Sequence, residues 1–384
     1  MNYILRDYPQ EAVESALEFF NSNSKKNALM VLPTGSGKSL IIANIAKELN
    51  EPVIIFQPSK EILEQNYSKI KSYGVDDVSI YSASFNSKKI SKITFATIGS
   101  VKSKPELFKD FKYIIVDEAH FVNAKKGMYK EFFEIVTGKI IGLTATPYRL
   151  VTDGFGGSIL KFLTRTRPRI FSELIYYAQI GKLFNEGYLS KLKYYQVNGF
   201  DSSQLQINST GNDYTDQSVR RYYDKIEYEK KIIKVVNRCL EIGRKNILIF
   251  TRFIEEAQAV KDKLGDICEI VTSETKKQDR EEIIEKYRAG DIRVISNVRV
   301  LSIGFDFPEL ETIIDTAPTK SLALYYQKLG RGIRIHPEKE YSMIVDMCEN
   351  YKRFGCVEEL VLDSEKPGMW YIKNNEKQLT NVYY

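Results

Sequence analysis

"ALMVLPTGSGKSLIIANIAKEL", residues 28–49, sets an apolar run, a glycine-rich loop and a segment of helical period in direct succession. Ala28 to Val31 carries no polar alternation and reads as a strand buried on both faces. From Leu40 onward, apolar residues fall at Ile42, Ile45, Ala46 and Leu49, one face of a helix. Between the two, Gly35 and Gly37 permit backbone angles that other residues avoid, so successive N–H groups can turn towards an anion at the start of that helix. The stretch therefore predicts strand, anion-binding loop and helix, the opening unit of a parallel α/β sheet.

The same alternation continues outward. "VIIF" (53–56) is followed by a helical segment, Glu61 to Ser72, with Ile62, Leu63, Asn66/Tyr67 and Ile70 on one face, and then by "SIY", "ITFAT", "YIIVD" and "IIGLT". The rhythm weakens between about residues 150 and 225, where glycines, asparagines and scattered tyrosines break it. It resumes with Ile232, Ile233, Val236 and Leu240 on a helix, then "ILIF", "EIVT", a helix with Ile283, Ile284 and Tyr287, and "RVIS", "TIID" and "YSMIVD". Two α/β units follow, each a mostly parallel sheet flanked by helices, and the length of 384 residues agrees with two domains. After Asp363 the tail is too short and polar for a domain, with Trp370 and Tyr371 as its anchors.

Composition excludes several classes. The chain is 43% hydrophobic and 28% charged, with no apolar run near the roughly 18 residues of a membrane span. The N-terminus lacks a secretory pattern, so an intracellular protein without a membrane partner is expected. Cys239, Cys268, Cys348 and Cys356 form no CxxC pair and read as reduced interior thiols. A net charge of +6 is compatible with a polyanionic partner.

"LPTGSGKS", residues 32–39, specifies the anion as a triphosphate. Thr34, Gly35, Ser36 and Gly37 form the cradle, Lys38 meets the β and γ phosphates, and Ser39 offers its hydroxyl to Mg²⁺. The first glycine of the usual Walker pattern is absent; Pro33 and Thr34 stand in that shorter loop. In "YIIVDEAH", residues 113–120, an apolar strand ends in two carboxylates, which should face the same crevice as Lys38. Asp117 would hold Mg²⁺ through its water shell and Glu118 would orient and deprotonate the attacking water. His120, taken alone, reads as a structural histidine.

TGSGKS, then DEAH, then "LTATP" (143–147), in that order, resemble a superfamily 2 helicase of the DEAH/DExH type, over roughly residues 3 to 355. The resemblance implies two tandem RecA-like domains with the active site in the cleft between them. It divides the chain into a first domain (1–165), a bridge (166–190), a second domain (191–362) and a tail (363–384). It also implies ATP and Mg²⁺ as cofactors. In "LRDYPQEAV", Arg6 and Gln10 match the positions that recognise adenine. Pro58, Ser59, Lys60 and Thr97 match nucleic-acid-backbone motifs, as do Thr251, Arg252, Ser273, Thr275 and Ser296 in the second half. Thr144 and Thr146, with His120, match the relay that couples hydrolysis to the second domain, and Gly304 and Asp306 match a turn against the ribose. "YYQKLGRGIR", residues 325–334, matches the last core motif, with Gln327, Gly330, Arg331 and Arg334. Guanidinium groups suit that place because they stay charged and fork onto phosphate oxygens.

The resemblance thus implies a nucleic-acid-dependent ATPase, a monomer that moves 3′ to 5′ along a strand. DNA is favoured over RNA because the bridge "EGYLS" (186–190) and the Gly-Phe-Asp turn look closer to DNA repair, recombination and phage-type helicases. The alternatives are an RNA helicase, a translocase that remodels DNA without unwinding it, and a nucleotide-gated clamp within a larger complex; the intact Glu118 argues against the clamp. Arg165, Arg167 and Arg169 read equally well as a nucleic-acid patch or a solvated turn.

Overall fold

The structure, a computed structural model, describes residues 7–152, 158–298, 307–375 and 377–382. Arg6, Gly304 and Asp306 lie outside them. The chain divides into two compact units: Met1–Arg149 with Leu160–Gln179 and Leu362–Lys373, and Leu150–Ile159 with Ile180–Val361 and Asn374–Tyr384.

In the first unit, helix α1 (Asp7–Asn21) leads into β1 (Asn27–Val31), α2 (Lys38–Glu48), β2 (Val53–Phe56), α3 (Lys60–Ser72) and β3 (Val78–Ser82). Then come β4 (Ser87–Lys88), β5 (Ile93–Ala96), α4 (Ile98–Val101), β6 (Tyr113–Asp117), α5 (Met128–Ile135) and β7 (Lys139–Thr144). A two-stranded pair, β8 (Tyr148–Thr152) and β9 (Ser158–Phe162), part of which belongs to the second unit, precedes β10 (Phe171–Tyr177). Among the described residues the sheet order is β10-β1-β7-β6-β2-β5-β3-β4, parallel throughout except for the β3–β4 edge. The central strands are continuous Val/Ile/Phe runs because helices cover both faces: Val53 to Phe56 and Ile93 to Ala96 are wholly buried. Against β2 the Phe132 ring meets Phe56 edge-on, with centroids 5.0 Å apart; full burial of such a side chain contributes about 1.5–3 kcal/mol. The parallel order places the carboxyl ends of β1, β7 and β6 side by side, where an open sheet binds its ligand.

The second unit contains α6 (Ile180–Asn185), β11 (Lys191–Gln196), α7 (Asp216–Lys225), α8 (Tyr228–Glu241), β12 (Ile247–Thr251), α9 (Ile254–Leu264) and β13 (Cys268–Val271). It continues with α10 (Lys277–Ala289), β14 (Val294–Val298), β15 (Thr312–Asp315), α11 (Leu322–Leu329), β16 (Tyr341–Asp346) and α12 (Asn350–Phe354). Its sheet runs β11-β16-β15-β12-β14-β13, all parallel. Helix α8 buries Tyr228, Ile232, Val236 and Cys239, spaced to keep one face on the sheet. All four cysteines are free thiols, three of them buried.

Two stretches differ from the sequence pattern. Part of the 166–190 bridge, Phe171–Tyr177, is instead the strand beside β1 in the first sheet. Its side chains are mostly half-buried, as at a sheet edge, so it lacks the apolar run that marks the central strands. The tail is also ordered. Leu360–Ser364 (β17), Trp370–Asn374 (β18) and Lys377–Gln378 (β19) form a three-stranded sheet, and the Trp370 ring lies 5.4 Å from that of Tyr177. Leu360, Leu362 and Ile372 are buried there, but intervening polar residues hide the alternation.

Candidate nucleotide site

Strand β1 delivers the chain into the glycine loop. Leu32 N–H donates to the Thr144 carbonyl at 3.0 Å, extending the ladder one residue past the strand. Ser36 N–H donates to the Pro33 carbonyl at 3.2 Å, and Gly35 and Gly37 adopt left-handed φ of 77° and 81°. Gly37 caps α2 without a side chain, so the helix presents its first N–H groups and its dipole to the loop. The Tyr8 hydroxyl, 2.5 Å from the Ser36 carbonyl, braces the loop from α1. Gln10 is exposed on that helix and donates to Glu14 at 2.7 Å. Sequence reasoning missed Tyr8, whose spacing from the loop carries no signal.

Asp117 ends β6 and Glu118 follows with φ 49°, a left-handed angle unusual for a residue with a side chain. Its own N–H donates to Asp117 Oδ1 at 2.9 Å. This turn brings Glu118 Oε1 within 2.6 Å of Lys38 Nζ and Oε2 within 3.3 Å of His120 Nδ1. Burial opposes the Glu118 charge, but Lys38 and His120 outweigh it and hold the carboxyl well below its usual range. Asp117, 4% exposed, is in the opposite situation: burial pushes it up to about 6 against the pull of Lys38. From Glu118 the network runs on through His120 Nδ1, 3.0 Å from both Thr144 Oγ1 and Thr146 Oγ1, and Thr146 N–H donates to Thr144 Oγ1 at 3.0 Å.

The donor set fits a magnesium-bound triphosphate. Ser39, in the first turn of α2, supplies a hydroxyl, and Asp117 a carboxylate whose buried charge a divalent cation would stabilise.

On the same edge of the first sheet, β2 and β5 end at Pro58–Ser59–Lys60 and at Thr97, all half-buried. Ser59 caps α3, its Oγ accepting from Ile62 N–H at 3.3 Å. Thr97 Oγ1 lies 3.1 Å from Ser82 Oγ and 2.9 Å from Ser100 Oγ, and Lys60 Nζ sits 5.0 Å over the Phe85 ring.

In the second unit the matched positions are not equivalent. Ser273 is exposed and Thr275 half-buried, with Thr275 Oγ1 accepting from Thr272 N–H at 2.9 Å. Thr251 is buried and donates to the Asn297 carbonyl, and Ser296 is fully buried in β14. Arg252, 7% exposed, is held by Asp216 at 2.8 Å, by Asp213 at 3.5 Å and by the carbonyls of Tyr214 and Pro318. Its guanidinium ties the 213–216 loop to the end of β12. Where backbone contact was expected of Thr251, Arg252 and Ser296, the structure therefore turns these side chains inward.

Ser321 caps α11, which carries half-buried Gln327 and ends at Gly330. Arg331 is 8% exposed, and burial lowers the Arg334 guanidinium to about 10. The chain between the arginines is clamped. The Gly332 carbonyl accepts from Ser342 Oγ at 2.7 Å and Lys339 Nζ at 3.1 Å, and the Ile333 carbonyl accepts from Ser190 N–H at 2.7 Å. Ser190 belongs to the "EGYLS" stretch, so that segment supports the arginine loop.

Two family models match the chain: Type III restriction enzyme, res subunit, over residues 2–149, and Helicase conserved C-terminal domain, over residues 228–336. Both matches agree with the resemblance to superfamily 2 of the helicases. The chain is 27% identical over 330 residues to a 51.5 kDa protein of a Lactococcus phage (isolate 7-9), a match that covers 84% of the chain and 66% of that protein. It is 26% identical over 370 residues to the DNA 3'-5' translocase XPB2 of Sulfurisphaera tokodaii, covering 88% and 80%. Among solved structures it resembles the ATP-dependent Type ISP restriction-modification enzyme LlaBIII bound to DNA, with a TM-score of 0.64 at 22% identity, covering 89% of this chain and 27% of that one. The fold is accordingly α/β with two tandem RecA-like domains. The chain spans about half to two thirds of the length of several curated relatives it matches.

Proposed function

We propose that the chain is an ATP-dependent helicase or translocase acting on DNA, a nucleic-acid-stimulated ATPase that uses ATP with Mg²⁺. The observation that carries the reading is the half-buried Lys38–Glu118–His120 chain, which leads from the glycine loop to Thr144 and Thr146. Phosphate oxygens would draw Lys38 from Glu118, leaving that carboxylate to take a proton from the attacking water. Ser39 and Asp117 would hold the cation, which screens the phosphate charge. Arg331 and Arg334, with Gln327, would stabilise the charge that develops on the γ-phosphoryl. Hydroxyls and N–H groups at Pro58, Ser59, Lys60, Thr97, Ser273 and Thr275 would hold a strand by its backbone.

DNA is preferred because the relative from Sulfurisphaera tokodaii is a DNA translocase and the LlaBIII structure holds DNA; movement 3′ to 5′, a DEAH-type motor and a monomeric intracellular state belong to the same proposal. The test is the ATPase rate with single-stranded DNA, duplex DNA, forked DNA and RNA at one salt concentration. DNA should stimulate most, and Lys38→Ala or Arg331→Ala should abolish the stimulation. Full activity in either folded variant would overturn the reading.

A further inference from the structure

We infer that Lys328 is a positioning residue for Arg331 and Arg334, a role that rests on the hydrolysis reading above. Helix α11 packs on the second unit through Leu322, Tyr325, Tyr326 and Leu329, and within that apolar face stands a lysine only 2% exposed. Its Nζ lies 2.7 Å from Asp315 Oδ1 and 2.8 Å from the Ala317 carbonyl. Asp315 ends β15 and is 1% exposed, and its other oxygen accepts from Asn350 Nδ2 at 2.8 Å. Asn350 also reaches the Ala317 carbonyl at 3.0 Å. Asp315, Asp346 and Cys348 lie close enough together to suggest a metal cluster. Lys328 and Asn350 occupy the Asp315 oxygens instead, and the N–H groups of Cys348, Asn350 and Tyr351 occupy those of Asp346.

Burying an ion pair is a poor way to stabilise a fold, because desolvation offsets most of the attraction; a leucine at position 328 would fill an apolar face as well. What the pair supplies is direction. It fixes the last turn of α11 to a strand end three residues before Arg331, and the Gly332 and Ile333 carbonyls fix the chain beyond it. Catalytic guanidinium groups must be held to within about 0.5 Å, and displacement by about 1 Å can cost two orders of magnitude in rate.

The test is the double variant Asp315→Asn/Lys328→Met, which removes both charges of the pair together, beside Arg331→Ala in the same DNA-stimulated assay. The double variant should keep the wild-type melting temperature within a few degrees, keep KM for ATP within about threefold and keep its DNA affinity, while kcat falls at least about tenfold. Wild-type kcat in the folded double variant would overturn the inference. So would failure of that variant to fold, because the pair would then be a stability element. Full activity of Arg331→Ala would instead remove the hydrolysis reading on which it rests.

Discussion

Gly332 shows how tightly single residues are constrained around the arginines. A Cβ there would lie 3.1 Å from Ser342 Cβ and 3.2 Å from Ile313 Cδ1. Gly332→Ala should therefore push the loop outward, destabilise the protein by about 1–3 kcal/mol in urea melts and lower kcat by about tenfold or more. Tyr8→Phe deletes the brace on the Ser36 carbonyl, a hydrogen bond contributing about 0.5–1.5 kcal/mol. It should raise KM for ATP up to about tenfold and leave kcat nearly unchanged. That Lys38 and Glu118 meet was legible in the sequence, because a buried strand ending in a glycine loop and one ending in paired carboxylates point to the same edge of a parallel sheet. The inward turn of Arg252 was not legible, since its partners Asp213 and Asp216 come from the stretch where the periodic pattern fails. Lys328 could have been suspected as a charge on the apolar side of a helix, but only the fold shows Asp315 opposite it.

At the scale of elements, the junction between β12 and α9 carries a pH response. Glu256 accepts from Arg252 N–H at 3.0 Å and Phe253 N–H at 3.5 Å, and burial pushes its carboxyl from 4.5 up to about 8. Between those values the unfolded chain releases a proton that the folded protein retains, so this group's contribution to stability declines as pH rises from about 4.5 to 8. Glu256→Gln mimics the protonated acid and should flatten the melting-temperature profile over that window; an unchanged slope would reject the assignment. The long central strands and amphipathic helices were readable from their periods. The edge strand β10 and the tail sheet were not, because half-buried strands with mixed residues lack the apolar run by which the central strands were recognised.

For the whole molecule, a net charge of +6 agrees with a backbone-binding protein whose affinity is set by phosphate contacts. The dissociation constant for single-stranded DNA should rise linearly with salt on logarithmic axes. A salt-independent affinity would contradict strand binding through phosphates. The central claim is that Glu118 serves hydrolysis and that nucleic acid controls it. The most direct measurement is the ATPase rate of the wild-type protein and of Glu118→Gln, with and without single-stranded DNA. The wild type should be stimulated by DNA, whereas Glu118→Gln should bind ATP and lose the stimulated rate by about a hundredfold or more. Wild-type turnover in the folded Glu118→Gln protein, or a wild-type rate indifferent to DNA, would contradict the account.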